Sequence, residues 1–132
     1  MDAGLRAVAA EGAEIGLLDC LAAVKAREAL GTRMNLFHET WDLLLTPTLP
    51  IPAFDAGLEV PAGSGMGRWT EWAPFSYPFN LTQQPAASMP CGRTRSGLPV
   101  GLLIVAAQGR DDKVLAASAA FEALHPIAFP AI

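Results

Sequence analysis

The chain has 132 residues, of which 52% are hydrophobic and 17% charged, with a formal net charge of -4. Soluble domains commonly run near 45–50% apolar and roughly 25% charged. This balance excludes disorder and suits a polypeptide buried on several sides, by more of its own chain or by a partner. Lysines and arginines are scattered, so no basic stripe awaits a nucleic-acid backbone. The longest apolar run, Val100 to Ala107, is far shorter than the roughly 20 residues a membrane helix needs.

Asp2, Arg6 and Glu11 lie among alanines and glycines at the start, unlike the basic and then apolar opening of a signal peptide. A cytoplasmic location is therefore expected. The two cysteines, Cys20 and Cys91, stand far apart without a CxxC partner, so they predict no metal site and two buried free thiols, the alternative being a disulfide between them. Nothing calls for a cofactor.

In chain order, Met1 to Gly16 is rich in Ala and Gly and reads as a frayed helix or a loop, since each interior Gly costs about 1 kcal/mol against Ala. From Leu17 to Thr40 a helix is predicted. Ala23, Ala26, Leu30, Met34, Phe37 and Trp41 recur at steps of three and four and form one apolar stripe. Gly31 is a point where this helix kinks or divides. Asp42 to Thr46 reads as a short strand covered on both faces, because Leu43, Leu44 and Leu45 are apolar without alternation. Pro47, Pro50 and Pro52 end it.

Residues 53–73 form a long loop with four glycines, anchored by Trp69 and Trp72. Pro78 opens one or two helical turns that stop at Pro85. Ala86 to Cys91 and Leu98 to Ala107 are extended, and the intervening Gly92-Arg93-Thr94-Arg95-Ser96-Gly97 marks a hairpin turn. The run Val100 to Val105 is apolar on both faces and belongs inside a sheet. Asp111 or Asp112 caps a last helix, with Val114, Ala117, Ser118, Phe121 and Leu124 on one side, ended by His125-Pro126.

Three segments in order carry a resemblance. They are Trp41-Asp42-Leu43-Leu44-Leu45-Thr46-Pro47-Thr48, then Tyr77-Pro78-Phe79-Asn80-Leu81-Thr82-Gln83-Gln84-Pro85-Ala86-Ala87-Ser88-Met89-Pro90-Cys91-Gly92, then Gly97-Leu98-Pro99-Val100-Gly101-Leu102-Leu103-Ile104-Val105. Together they resemble the C-terminal region of the amidase-signature hydrolases, over roughly residues 17–126. The resemblance implies an α/β fold. The chain would be the C-terminal part of that family's mixed β-sheet flanked by helices, an incomplete sheet in a single partial domain spanning 1–132.

The same resemblance implies amide C–N hydrolysis by a serine–serine–lysine triad, in which a neutral lysine acts through one serine to activate another. In the family those residues lie N-terminal to the region matched here. Lys25, Lys113 and the serines at 64, 76, 88, 96 and 118 lie in no comparable run, so no catalytic residue is assigned. Gln83 stands where the family's pattern carries glycine. A backbone approach near the pocket is one reason for glycine there, and Gln83 would then narrow the space.

The candidates for the substrate pocket are Trp72, Tyr77, Phe79, Asn80 and Gln83. The three aromatic residues suit a wall against an apolar substrate or simple packing. Asn80 either orients a pocket loop or bonds nearby backbone. His38 and His125 read as structural, His125 sitting at a helix C-terminus where a cation is favoured.

The expected function is to supply sheet scaffold and one pocket wall to an amidase-type hydrolase, without activity of its own. The expected partner is the missing N-terminal amidase portion or a second copy of the chain. A small-molecule amide would be bound only in the complete enzyme, with no nucleic acid and no membrane involved. The other readings are a non-catalytic remnant that self-associates as a binding or assembly module, covering its open sheet edges, and one half of a split amidase.

Overall fold

The computed structural model describes residues 3–126. Helix α1 spans Ala3–Ala13 and α2 spans Leu17–Thr40; strand β1 covers Leu43–Pro47. A 3-10 turn at Trp69–Trp72 and helix α3 at Tyr77–Thr82 precede strands β2, Ala86–Arg93, and β3, Pro99–Ala106. Helix α4, Asp111–Leu124, completes the described elements.

The strands form one sheet in the order β1-β3-β2. Both pairings are antiparallel: Leu44 lies opposite Val105 in one, and Ala87 opposite Ile104 in the other. The mixed sheet implied by the resemblance is thus represented here by antiparallel strands. The hairpin forms where the glycine-bounded turn predicts it, although β2 runs on to Arg93 through a bulge between Pro90 and Gly92. Arg93 donates to the Gly97 carbonyl at 3.0 Å and Thr94 N–H to the Leu98 carbonyl at 2.8 Å.

As its apolar run requires, β3 is the central strand. Leu103 and Val105 face one side and pack with Phe79 of α3, with Met34 of α2 and Leu44 of β1 against them. Ile104 and Ala106 alternate onto the other face and are buried too. Helix α4 packs on β2 and β3 and buries Val114, so helices cover both sides of the central strand. Arg27 Nε donates to the Leu81 carbonyl at 2.7 Å and fastens α2 to α3.

Several local expectations are corrected. The opening segment forms a regular helix where it is described, and α2 passes Gly31 without interruption. Only the second half of the predicted stripe is used: Leu30, Met34 and Phe37 are half-buried, whereas every residue from 17 to 29 is exposed. Leu45 of β1 is 56% exposed, so this strand is not covered on both faces. It is an edge strand, and an unbroken apolar run does not reveal which of its faces finds a neighbour. Cys20 and Cys91 are free but exposed rather than buried. Cys20 lies on the uncovered half of α2 and Cys91 at the bulge.

Neither Asp111 nor Asp112 caps α4. Arg110 is the cap residue, and both acids sit in the first turn, where the helix dipole favours negative charge. Asp112 accepts two bonds from Arg110, at 2.8 and 2.7 Å. Lys113 in the same turn is bonded to Asp42 beside β1, which ties α4 to the edge of the sheet.

Gln83 closes α3 in the left-handed region, φ 57 and ψ 35, the one non-glycine residue with positive φ among those described. Its N–H bonds back to the Phe79 carbonyl. The position therefore suits glycine, the usual left-handed residue that ends a helix. Gln83→Gly should raise stability by roughly 0.5–1 kcal/mol, the relief of left-handed strain less the entropy glycine adds to the unfolded chain; the urea midpoint reads this.

Arg110 holds the Asp112 carboxyl at about 2, below its ordinary 3.8, chiefly through their hydrogen bond. A depressed carboxylate stabilises the fold above its unfolded pKa and loses that contribution as pH falls through the folded value. The stability difference between the native chain and Asp112→Asn should therefore shrink between about pH 4 and pH 2, measured as denaturant midpoints across that window.

Candidate functional site

A concavity of about 670 Å³ opens where β1 runs into the proline-rich segment that follows it. Thr48 and residues 49–54 form one side; Ser88 and Pro90 of β2, Thr94, and Pro99, Val100 and Gly101 of β3 form the other, with Trp72 against them. Phe54 and Trp72 meet edge to face, ring centroids 5.6 Å apart. The Trp72 indole donates to the Glu59 carbonyl at 2.9 Å, so its polar edge is satisfied and its ring is free to form wall.

The floor depends on Gly101. Thr48 N–H donates to the Gly101 carbonyl at 3.0 Å, continuing the β1–β3 ladder by one residue. Above the bare backbone of Gly101 the hydroxyls of Thr48 and Ser88 meet at 2.7 Å, bridging the two outer strands across the central one. A Cβ at Gly101 would lie 2.6 Å from Thr48 Oγ1 and 2.9 Å from Ser88 Oγ. The hydroxyl bridge and a side chain at position 101 cannot coexist.

Of the residues proposed for the pocket from sequence, Trp72 lines this cleft. The others lie along α3. Tyr77 donates its hydroxyl to the Thr70 carbonyl at 2.6 Å and clamps the 3-10 turn to α3. Phe79 is in the core. Asn80 Nδ2 donates to the Ser76 carbonyl at 3.0 Å, the local backbone bond weighed from sequence. Gln83 Oε1 accepts from Gln108 at 3.2 Å. Next to it, buried Gln84 accepts from Thr82 Oγ1 at 2.9 Å, while its Nε2 has no partner among the described residues.

Thr48, Ser88 and Gly101 were not singled out from sequence. Each falls in a different resemblance segment, and no spacing rule links positions 48, 88 and 101. The glycine within an otherwise apolar strand was the available signal, since a strand-interior glycine marks close approach of another group.

No catalytic triad is assembled by the described residues. Ser88 bonds Thr48, Ser96 bonds Thr94, Ser76 donates to the Ala73 carbonyl, and Ser64 accepts from Met66 N–H. Ser118 Oγ is buried without a partner among the described residues. Lys113 is engaged with Asp42, whose carboxyl it holds below the usual range by hydrogen bond and charge. No cluster of three or more potential metal ligands occurs among the described residues, and no described helix is long and apolar enough to cross a membrane.

The family model described as Amidase matches residues 10–115. An acylamidase of Rhodococcus erythropolis is 33% identical over 119 residues, 87% of this chain and 24% of its own length. The glutamyl-tRNA(Gln) amidotransferase of Pseudothermotoga lettingae has one subunit that is 39% identical over 106 residues, 79% of this chain and 21% of its own length. The crystal structure of a bacterial aryl acylamidase belonging to the amidase-signature enzymes superposes with a TM-score of 0.79 at 31% identity, covering 96% of this chain and 27% of that one. The α/β arrangement of helices on a central hairpin and edge strand is thus that of the amidase-signature enzymes, and the chain belongs to the amidase family. It spans about a quarter of the length of these relatives.

If Gly101 is required for the floor, Gly101→Ala should cost about 1–3 kcal/mol, the usual range for overpacking. Ser88→Ala, which removes one hydroxyl and adds no volume, should cost less, about 0.5–1.5 kcal/mol. Thermal unfolding of the two variants tests the order.

Proposed function

We propose that this chain is a single partial domain of an amidase-type hydrolase that supplies sheet scaffold and one wall of the substrate cleft. The serines and lysine that cleave the amide bond come from polypeptide outside it. The observation that carries this reading is the exposed apolar surface. Seven hydrophobic residues are buried among those described, while Leu17 and Leu18 on α2 are 73% and 80% exposed and Leu21 and Val24 continue the same side of the helix. Exposed apolar patches of this kind mark surfaces that meet more protein.

The sheet edges support the same reading. Antiparallel ladders turn alternate residues outward. With Thr48 bonded inward to Gly101, the backbone groups of Leu43 and Leu45 face away from β3. Among the described residues no strand pairs with the outer side of β1 or of β2. Such edges are completed by further strands in a larger sheet.

In the complete enzyme Trp72 would stand in the cleft wall, with Tyr77, Phe79, Asn80 and Gln83 placing the α3 segment beside the substrate. The substrate would be a small-molecule amide, as the names of the acylamidase relatives suggest. The two free thiols suit a reducing cytoplasm. The relative that forms part of an amidotransferase makes assembly with a separate chain a natural variant of the same reading, and the uncovered α2 face would equally drive association of two copies.

The isolated chain should release no aniline from a simple aryl amide and should not be labelled by a serine-directed fluorophosphonate. Turnover that a point change within residues 1–132 abolishes would sink the proposal.

A further inference from the structure

We infer that Glu11 of α1 is a positioning residue for the cleft, acting through Arg68 to hold the 3-10 turn that carries Trp72. The inference concerns the shape of the cleft wall. It goes beyond the division of the catalytic machinery proposed above and does not depend on it.

Three carboxylates gather where the turn begins, those of Glu11, Glu59 and Glu71. Glu71 Oε1 accepts from the backbone N–H of Gly67 at 2.8 Å and of Arg68 at 3.2 Å, and Glu59 Oε1 accepts from that of Trp69 at 3.2 Å. Three successive N–H groups thus point at carboxylate oxygen, as in the concave backbone nests that bind anions. Here the chain's own acids fill the nest, so it fixes the loop and offers no ligand site. The third carboxylate comes from a distant part of the chain. Glu11 takes the Arg68 guanidinium on both its oxygens, at 3.0 and 3.4 Å, the bidentate geometry that gives arginine pairs their directional hold.

The same guanidinium feels all three acids. Its pKa stands above the ordinary arginine value, chiefly through the hydrogen bond to Glu11, with the charges of Glu11, Glu59 and Glu71 adding to it. Glu59 is already committed to the turn: its carboxylate holds Trp69 N–H, and its carbonyl accepts the Trp72 indole at 2.9 Å. Without Glu11, Arg68 becomes an unpaired cation beside Glu59, and a guanidinium attracts a carboxylate more strongly than a peptide N–H does. Capture of Glu59 by Arg68 would draw residue 59 away from Trp69 and take the acceptor of the Trp72 indole with it. Glu11 prevents this by engaging the guanidinium first. Trp72 then keeps its ring against Phe54 as cleft wall, and Tyr77 of α3 fastens the same turn through the Thr70 carbonyl. The Glu11 and Arg68 side chains are 63% and 38% exposed, and exposed pairs contribute little to global stability. The effect of Glu11 is therefore local, on the placing of the turn.

The test is solvent exchange of the Trp72 indole N–H, followed by NMR on the full chain with the signal assigned through Trp72→Phe. Glu11→Gln should raise the exchange rate about two- to fivefold, the range an exposed ion pair delivers, with far-UV circular dichroism and the thermal midpoint unchanged. Arg68→Gln breaks the same pair but leaves no cation to compete for Glu59, so it should keep the native rate. The double variant Glu11→Gln with Arg68→Gln should restore the native rate for the same reason. A pair that merely tied α1 to the loop would loosen the indole equally in all three variants. An unchanged rate in Glu11→Gln, or a rate in Arg68→Gln or in the double variant as high as in Glu11→Gln, overturns the inference. Should Glu11→Gln fail to fold, the double variant decides: folding with native exchange supports the inference, and failure to fold overturns it. None of these outcomes bears on turnover, from which the proposed division of the catalytic machinery is read.

Discussion

The structure hangs on the burial of a single strand. β3 is bonded along both edges and covered on both faces, so that Val105 and Ala106 lose all contact with solvent. A strand that is apolar on every side cannot be satisfied by one neighbour. It recruits β1 and β2 for its backbone, α2 and α3 for Leu103 and Val105, and α4 for the opposite face. Helix α1 and the first half of α2 lie outside this packing and are left exposed. Leu17, Leu18, Leu21 and Val24 of α2 stay exposed, and burial of such residues is the dominant favourable term in folding and association.

The same strand organises the cleft. Its apolar course is interrupted at Gly101, and at that position the outer strands reach across and join through Thr48 and Ser88. Towards Val105 the strand builds core; at Gly101 it stops filling space and leaves a floor. One residue without a side chain thus separates the part of β3 that stabilises from the part that offers a surface. Membership of the amidase family is carried by this scaffold. The chemistry associated with the family needs a serine with an activating base, and none of the serines described here is bonded to a lysine or histidine.

Much of the fold was legible in the chain, and the reasons differ by element. The hairpin was readable because its turn has glycine at both ends and its strands are apolar runs bounded by turn residues. α2 was readable from its stripe, and α3 from Pro78 followed by Pro85. The caps were less legible. Asp111 and Asp112 are good capping residues by type, yet Arg110 takes the cap position, and the acids serve the helix dipole and an arginine pair instead. At Gln83 the chain breaks its own rule, a side chain in a conformation that favours glycine. The candidate site was legible only at Trp72, for Thr48, Ser88 and Gly101 come together from three separated strand segments.

What the sequence by itself determined is local and compositional: the order of the elements, the interior place of β3, the family, and the lack of a signature-like serine run. These follow from spacing, turn chemistry and apolar content within short windows, where a residue's neighbours are its own. What only the tertiary structure decided is which apolar surface found a partner and which did not. It left Leu45 and the start of α2 uncovered, turned both cysteines outward, and brought two hydroxyls together over Gly101. Burial belongs to pairs of surfaces brought together by long-range packing, and a one-dimensional pattern records one member of each pair.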